Sequence, residues 1–351
     1  MNGITTTRLR RTVAIAFALS LAAGAAAGCG TGGNSTADGS APLVVYSAQG
    51  YDKPMVEAFQ KATGIPTKLV DDSTGPLLAR IQAERANPQW GVLWVDGDEA
   101  FASLDSQKML VQNIDPQVSY NQLGQALRPK DHSYVPTGVT ATEALVYKAG
   151  TIAAPPTGWQ DLLTPAWKDA VGMPNPSVSG PAYPFVAGMF AQLGGDEQGK
   201  QYFQALKNNG LHVYDTNAPL LHGLQIGEVK VALLQSSAGI AAALKDPTLK
   251  VAYLPKVTAL PSVIGIDAKA SAAVQNEAKK FADFVLGRPG QQVMLQGDAG
   301  GDSLYWPVVA GIDANSGMPR LDSVPTQTID PYVWGPKEGE INSWFTKTIA
   351  H

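Results

Sequence analysis

Short apolar segments alternate with helix-like segments over residues 42–95, and no other feature of the sequence constrains the fold as strongly. "PLVVYS" at 42–47, "IPTKLV" at 65–70 and "GVLWV" at 91–95 have the length and β-branched content of buried strands. Apolar residues recur at helical spacing between the first two strands and again over 76–86. Because parallel neighbouring strands need a crossover connection, this alternation predicts a parallel sheet with helices on both faces.

The same alternation continues through the middle of the chain. Strand-like segments occupy 141–149, 212–217 and 230–237, and a helix-like segment occupies 184–195. Short segments with the apolar spacing of strands again alternate with segments that have the apolar spacing of helices. This pattern predicts a second α/β unit.

The last part of the chain begins with a strand-like segment at 261–270 and a helix-like segment at 274–287. About 310 residues of body exceed one compact core and fit two lobes. The predicted organisation is lobe 1 over 41–137, lobe 2 over 138–256, and a return to lobe 1 followed by C-terminal helices over 257–351.

The first 40 residues have the composition of an export signal and a tether. Arg8, Arg10 and Arg11 precede an apolar run that ends in "AAGC" at Cys29, which is typical of a lipoprotein signal with a lipobox. The run of about 15 residues is shorter than the roughly 20 that a membrane-spanning helix needs. We therefore predict a signal peptide over 1–28, which leaves export by the general or the twin-arginine route open.

Cys29 is the only cysteine, so no disulfide forms within the chain, and its position after "AAG" predicts lipidation. The Gly- and Ser-rich stretch from residue 29 to residue 40 is typical of a flexible tether. We therefore expect an exported protein that is held at the outer face of the cytoplasmic membrane by a lipid on Cys29.

Charge and motifs exclude several classes of function. Residues 1–28 hold three arginines and no acidic residue, so the remainder has 23 basic and 30 acidic residues and a net charge of −7. This balance argues against nucleic acid as a partner. The sequence contains no G-x-S-x-G, H-E-x-x-H or G-x-x-x-x-G-K-[ST] motif, and its four histidines lack close metal-ligand spacing. An exported hydrolase is therefore a minor alternative, and no cofactor is predicted.

Several longer segments together resemble one known family: "LVVYSAQ", "DSTGPLLARIQAERANPQWGVLW", "PPTGWQDLLTPAWKDAVGMPNPSVSG", "LHGLQIGEVKVALL" and "NEAKKFADFVLGRPGQQ". The chain resembles the extracellular solute-binding proteins of ABC importers, in the type 2 periplasmic-binding class and the branch that binds ferric ion or 2-aminoethylphosphonate. The resemblance implies a monomer with two lobes, each a mixed sheet flanked by helices, and a ligand cleft between them. It also implies hinges near 135–140 and 255–262, closure on the ligand and delivery to a membrane permease.

The resemblance to the ferric-ion binders is incomplete at the positions that would hold the metal. The adjacent tyrosines of those relatives correspond here to Ser236, Ser237 and Ala238. Their histidine corresponds to a position near Gln49 or Gly50, while Asp96 matches their glutamate. Ferric iron favours anionic oxygen ligands, and one carboxylate does not replace two phenolates. We therefore predict no metal site. Other tyrosines offer an alternative iron arrangement, which stays open: Tyr46, Tyr134, Tyr183 and Tyr214.

Two predicted helix starts carry small hydroxyl residues that suit an anion. Ser73, Thr74 and Gly75 precede one helix, and "SVSG" at 177–180 precedes another. Unpaired backbone N–H groups and the positive end of the helix dipole make such starts anion sites. The resemblance places an anion at the second start and at Asn217. Ordinary helix caps or a turn are the alternative for all of these residues.

Asp96 ends the third predicted strand, where ligands of α/β proteins gather, and Asp98 and Glu99 follow it at what is otherwise an exposed helix start. A carboxylate facing an amine, with hydroxyls facing an oxyanion, would select a zwitterion such as 2-aminoethylphosphonate. Tyr46 and Tyr183 are candidates for the cleft wall or for core packing. The predicted ligand-binding set is Tyr46, Ser73, Thr74, Gly75, Asp96, Ser177, Ser179, Gly180, Tyr183, Asn217 and Ser237.

Overall fold

The computed structural model describes residues 41–296 and 304–350. The predicted signal peptide, the tether and Cys29 lie outside these residues. Within the two described ranges, none of the helices combines the length and the apolar character that crossing a bilayer requires.

The described residues form eleven strands and twelve α-helices. The strands are β1 (Leu43–Ser47), β2 (Thr67–Asp71), β3 (Val92–Asp96), β4 (Tyr134–Ala141), β5 (Ala144–Lys148), β6 (Val171–Pro174), β7 (His212–Tyr214), β8 (Val231–Leu234), β9 (Leu249–Tyr253), β10 (Val257–Ile266) and β11 (Thr326–Gln327). The helices are α1 (Asp52–Thr63), α2 (Thr74–Ala83), α3 (Asp98–Ser106), α4 (Gln122–Ala126), α5 (Ala182–Leu193), α6 (Asp196–Asn208), α7 (Asn217–Ile226), α8 (Ser236–Lys245), α9 (Ala272–Leu286), α10 (Arg288–Gln296), α11 (Pro331–Trp334) and α12 (Glu338–Thr348).

The strands form two mixed sheets. The first has the order β11-β10-β3-β1-β2, with β4 also paired to β10, and the second has the order β7-β6-β8-β5-β9. In the first sheet β1 is parallel to β2 and β3, as the strand and helix alternation predicts, while β10 runs antiparallel to β3 and β4. In the second, β6 is parallel to β7 and β8, and β5 is antiparallel to β8 and β9. We call the first sheet with its packed helices lobe 1 and the second lobe 2.

Local sequence explains why the elements of lobe 1 form where they do. Helix α1 buries Met55, Val56 and Phe59 on one face, and these apolar residues pack with those of β1 and α9 in a single core. Gly64 ends the helix in the left-handed conformation with φ 71°, and its N–H donates to the Gln60 carbonyl. Burial of one apolar face thus fixes this helix on the sheet.

The C-terminal helix α12 packs against the core of lobe 2. Ile341, Phe345 and Ile349 are buried among residues of that core, and the ring of Phe345 meets the ring of Phe203 edge to face at 5.6 Å between centroids. Residues 257–351 therefore contribute to both lobes, since β10 and β11 belong to the first sheet.

Two of the chain crossings between the lobes lie next to each other. β4 is followed by β5 after only Thr142 and Glu143, and β9 is followed by β10 after 254–256. The Thr142 N–H donates to the Thr258 carbonyl at 2.9 Å, and the Thr258 N–H donates to the Glu143 carboxylate at 2.8 Å. These bonds tie the two crossings together, and the C-terminal segment makes a further connection from β11 in the first sheet to α12 on the core of lobe 2. The predicted lobe boundaries and hinge positions stay predictions.

Candidate functional site

A cavity of about 130 Å³ lies between the two lobes. Lobe 1 lines it with Ala48, Ser73, Thr74, Asp96 and Tyr305. Lobe 2 lines it with Ser179, Gly180, Pro181, Thr216, Asn217, Ala218 and Gln235. These lining residues, all from the described ranges, provide hydroxyl, amide and phenol groups and one carboxylate, and none of them is a Lys, Arg or His.

Four helices begin at this cavity. They are α2, α5, α7 and α8, and the residue just before each one lines the cavity: Ser73, Pro181, Thr216 and Gln235. None of these four side chains accepts a hydrogen bond from the first turn of its own helix. The N-cap side chains therefore leave the first-turn N–H groups of their own helices uncapped, although the Ser237 N–H of α8 bonds to Thr140 Oγ1, and the positive ends of four helix dipoles surround one small space.

Among the described residues of the lining, Asp96 is the only charged one, and it is held by neutral donors. Its Oδ1 accepts a hydrogen bond from Gln49 Nε2 at 2.9 Å, and its Oδ2 accepts bonds from Gln235 Nε2 at 2.9 Å and from the Tyr305 hydroxyl at 2.8 Å. Burial raises the pKa of Asp96 to about 6, and the three hydrogen bonds oppose this rise. The carboxylate therefore ionises near neutral pH without a protein cation to pair with it.

The lobes are in direct contact around the cavity. The Gly75 N–H donates to the Val178 carbonyl at 3.2 Å, and Gln235 of lobe 2 reaches Asp96 of lobe 1. A Cβ atom at Gly180 would lie 2.3 Å from Thr74 Oγ1, so only glycine permits this approach of the lobes. The structure thus shows the lobes closed on the site.

Six of the predicted ligand-binding residues come together at the cavity, from four separate segments of the chain. They are Ser73, Thr74, Asp96, Ser179, Gly180 and Asn217. Asn217 begins α7 and does not cap it, because Thr216 occupies the N-cap position. Its side chain is 6% exposed, and its Oδ1 has no hydrogen-bond partner. A buried acceptor without a partner is unfavourable unless a bound group satisfies it.

The other predicted residues lie away from the cavity lining. Gly75 stands at the contact between the lobes, and the Ser177 hydroxyl contacts Thr346 Oγ1 at 2.7 Å. The Tyr183 hydroxyl donates to the Trp334 carbonyl. The Gly75 bond joins the two lobes, whereas the hydroxyls of Ser177 and Tyr183 bond to the C-terminal segment.

Tyr46 and Ser237 are also engaged elsewhere. The Tyr46 hydroxyl donates to the Glu84 carboxylate at 3.0 Å, and its ring is buried beneath α2. Ser237 is fully buried in the first turn of α8, where its N–H donates to Thr140 Oγ1 at 3.0 Å. The neighbouring Ser236 hydroxyl contacts the same Thr140 hydroxyl at 2.7 Å. The two serines therefore attach α8 to the crossing strand β4.

Gln235 and Tyr305 are cavity residues that sequence reasoning missed. Gln235 follows β8 directly, just as Asp96 ends β3, so the rule that ligands gather beyond strand ends provides a signal for it. Tyr305 lies in an irregular segment, and no local pattern marks it.

Asp98 and Glu99 occupy the first turn of α3, but they are buried rather than exposed, at 9% and 2% exposure. The reason is tertiary: the backbone of Gly335 packs directly against the Glu99 carbonyl, so the C-terminal segment covers this helix start. Burial raises the pKa of Asp98 to about 7. Neither carboxylate lines the cavity.

The tyrosines considered for an alternative iron site, Tyr46, Tyr134, Tyr183 and Tyr214, do not line the cavity. Within the described part of the chain, no three His, Cys, Asp or Glu side chains come together as metal ligands. Asp96 and Tyr305 are the two acidic oxygen groups that meet at the cavity.

Two lobes, each a mixed sheet flanked by helices, with a small polar cavity between them, define the class of two-lobed periplasmic binding proteins. Residues 43–296 match the family model of the bacterial extracellular solute-binding proteins, and the chain belongs to this family. The resemblance to the extracellular solute-binding proteins that the sequence indicates is confirmed, and so is the predicted fold class.

Individual relatives are distant. A "Putative 2-aminoethylphosphonate-binding periplasmic protein" of Salmonella typhimurium is 25% identical over 243 residues, which cover 67% of this chain and 68% of that protein. An "Fe(3+)-binding periplasmic protein" of Serratia marcescens is 23% identical over 308 residues, which cover 85% of this chain and 86% of that protein. The structure of the periplasmic binding protein AfuA from Actinobacillus pleuropneumoniae, with fructose-6-phosphate bound, superposes with a TM-score of 0.78 at 19% identity, covering 88% of this chain and 98% of that one. These relatives are binding proteins and not enzymes.

Proposed function

We propose that this protein is the substrate-binding lipoprotein of an ABC import system, and that it captures a small oxyanion or zwitterion such as 2-aminoethylphosphonate. The ligand is enclosed by closure of the two lobes and delivered to a membrane permease. The observation that carries the proposal is the meeting of four helix starts around a cavity that also presents the Asp96 carboxylate.

The cavity suits a small ligand with both signs of charge. A volume of about 130 Å³ equals about four water molecules at roughly 30 Å³ each. Each helix start favours an anion by about 0.3–1 kcal/mol at an exposed surface and by up to ~2 kcal/mol in a partly buried site. The hydroxyls of Ser73, Thr74, Ser179 and Thr216 add donors for phosphonate oxygens. Asp96 provides the acceptor for an ammonium group.

A phosphonate that lacks an amine fits this lining less well than a zwitterion does. The buried Asp96 carboxylate would then face a like charge without a cation between them, which opposes binding in a low-dielectric site. The Salmonella relative, whose name refers to 2-aminoethylphosphonate, supports the same assignment. A zwitterion satisfies both ends of the cavity at once.

The remaining features follow from the predicted N-terminal segment. We propose that the lipid on Cys29 anchors a monomer to the outer face of the cytoplasmic membrane, with the tether placing the lobes within reach of the permease. Export is supported by the periplasmic relatives.

Ferric ion is the second candidate, because the Asp96 carboxylate and the Tyr305 phenol meet at 2.8 Å and the Serratia relative is named for Fe(3+) binding.

Isothermal titration of the purified chain with 2-aminoethylphosphonate, phosphate and ferric citrate separates the two candidates. We expect saturable heat with 2-aminoethylphosphonate. Tight binding of ferric ion alone would replace the proposal with iron transport, and steady release of phosphate from a phosphoester would reopen the hydrolase alternative.

A further inference from the structure

Gln235 links the two lobes through the carboxylate that we assign to ligand recognition. It precedes α8 in lobe 2, and its Nε2 donates to Asp96 Oδ2 of lobe 1 at 2.9 Å and to the Tyr305 hydroxyl at 2.8 Å. Gln235 and Asp96 are 3% and 7% exposed. A hydrogen bond from a buried amide to a carboxylate is stronger than one between two neutral groups. Here it joins elements that separate when the cleft opens.

The oxygen that Gln235 contacts is the one that faces the cavity. Both donors to Asp96 Oδ2, Gln235 and Tyr305, line the cavity, whereas Gln49, the donor to Oδ1, does not. A carboxylate oxygen accepts about two hydrogen bonds, so Oδ2 has reached its capacity. A ligand N–H that binds this oxygen must replace one of the two donors.

Gln235 is the donor that can leave. Tyr305 is 1% exposed, belongs to the core of lobe 1, and packs its ring against Tyr51 at 5.9 Å between centroids. Tyr305 therefore moves together with Asp96. Gln235 belongs to the other lobe, and it shifts relative to Asp96 whenever the lobes rotate.

We propose that Gln235 is a latch that sets the specificity of the site: its amide closes the cleft by binding Asp96, and the ammonium group of a ligand takes its place on the same oxygen. This inference rests on the proposed function for the identity of the ligand. An oxyanion without an amine leaves the latch bonded and gains from it, whereas a zwitterion must displace it. The same side chain thus has opposite effects on the two classes of ligand.

Substitution of Gln235 by methionine tests the latch, because methionine has a similar length and donates no hydrogen bond. Affinities for 2-aminoethylphosphonate and for propylphosphonate, which carries a methyl group in place of the ammonium, are measured by isothermal titration. In Gln235→Met we expect binding of propylphosphonate to weaken by about tenfold or more and binding of 2-aminoethylphosphonate to strengthen. A purely structural role of Gln235 would change both affinities in the same direction, and that result would overturn the proposal.

Gln49→Met is the matched control, because Gln49 donates to the same carboxylate at the same 2.9 Å but from the same lobe as Asp96. Small-angle scattering without any phosphonate added should show a larger radius of gyration for Gln235→Met than for the wild type, and no change for Gln49→Met. Gln235→Asn, which keeps the amide but is one methylene too short, should behave as Gln235→Met does and replaces it if that variant misfolds.

The two readouts separate failure of the latch from failure of the proposed function. If no variant binds either phosphonate, the ligand assignment is wrong, and the scattering comparison still decides whether Gln235 closes the cleft. Equal radii of gyration for the wild type, Gln235→Met and Gln235→Asn would refute the latch whatever the ligand is.

Discussion

Replacing Asp96 by asparagine is expected to stabilise this protein at neutral pH while removing its preference for zwitterions. The folded pKa of Asp96, about 6, lies above its ordinary value of 3.8, because the buried carboxylate has lost its hydration. The folded state therefore binds the proton more tightly than the unfolded state, and stability falls as pH rises from about 4 to about 6. A shift of about two pKa units corresponds to about 3 kcal/mol that is lost above pH 7.

Asparagine has the shape of the protonated acid and never ionises. The Asp96→Asn variant should exceed the wild type in free energy of unfolding by less than about 1 kcal/mol near pH 4 and by up to about 3 kcal/mol at pH 7 to 8. Other buried acids with raised pKa values, such as Asp98 and Glu338, titrate in both proteins and cancel in the difference.

Urea unfolding of the two proteins at a series of pH values measures this difference directly. Titration of the same samples with 2-aminoethylphosphonate and propylphosphonate should show that the variant no longer distinguishes them. A stability difference that does not change with pH, or a wild type that is more stable than the variant at pH 8, would refute the assignment of a buried, unpaired carboxylate at this position.

Three further predictions concern closure, anion binding and anchoring. Gly180→Ala places a Cβ 2.3 Å from Thr74 Oγ1, so we expect ligand affinity to fall by about tenfold or more and small-angle scattering to show a more open protein. Gly339→Ala is the control and should bind the ligand like the wild type, because no atom lies within 4 Å of its added Cβ. Thr74→Val keeps the side-chain shape but removes the hydroxyl, so binding of any phosphonate should weaken by about 1 kcal/mol in titration; unchanged affinity would exclude this hydroxyl from the site. Cys29→Ser should move the exported protein from the membrane fraction to the soluble fraction, and persistence in the membrane fraction would contradict lipid anchoring.

The strands and helices of this protein could be predicted well because the signals are local. The apolar spacing of Met55, Val56 and Phe59 defines the buried face of α1 without knowledge of any other part of the chain. Asp96 could be identified because it ends a buried strand, and strand ends are where α/β proteins bind ligands. The family could be recognised because segments that resemble its members are spread over most of the chain after the tether.

The lining of the cavity was predicted only in part, because the side chains of neighbouring residues in a turn point in different directions. Ser177 and Ser179 are two positions apart, yet Ser177 contacts the C-terminal helix and Ser179 lines the cavity. Ser237 and Gln235 differ in the same way: the serine attaches α8 to β4, and the glutamine reaches the cavity. No periodicity in the sequence distinguishes the members of these pairs.

The sequence alone determined the α/β class, the helix starts with small hydroxyl residues, and the carboxylate at the end of β3, since each depends on residues within a few positions of one another. Only the tertiary structure decided what that carboxylate meets. Its partners Gln235 and Tyr305 lie 139 and 209 positions away in the chain. Gln235 reaches Asp96 because lobe 2 packs against lobe 1, and Tyr305 reaches it from the core of lobe 1. The packing around Asp96 removes its carboxylate from water, and this burial raises its pKa.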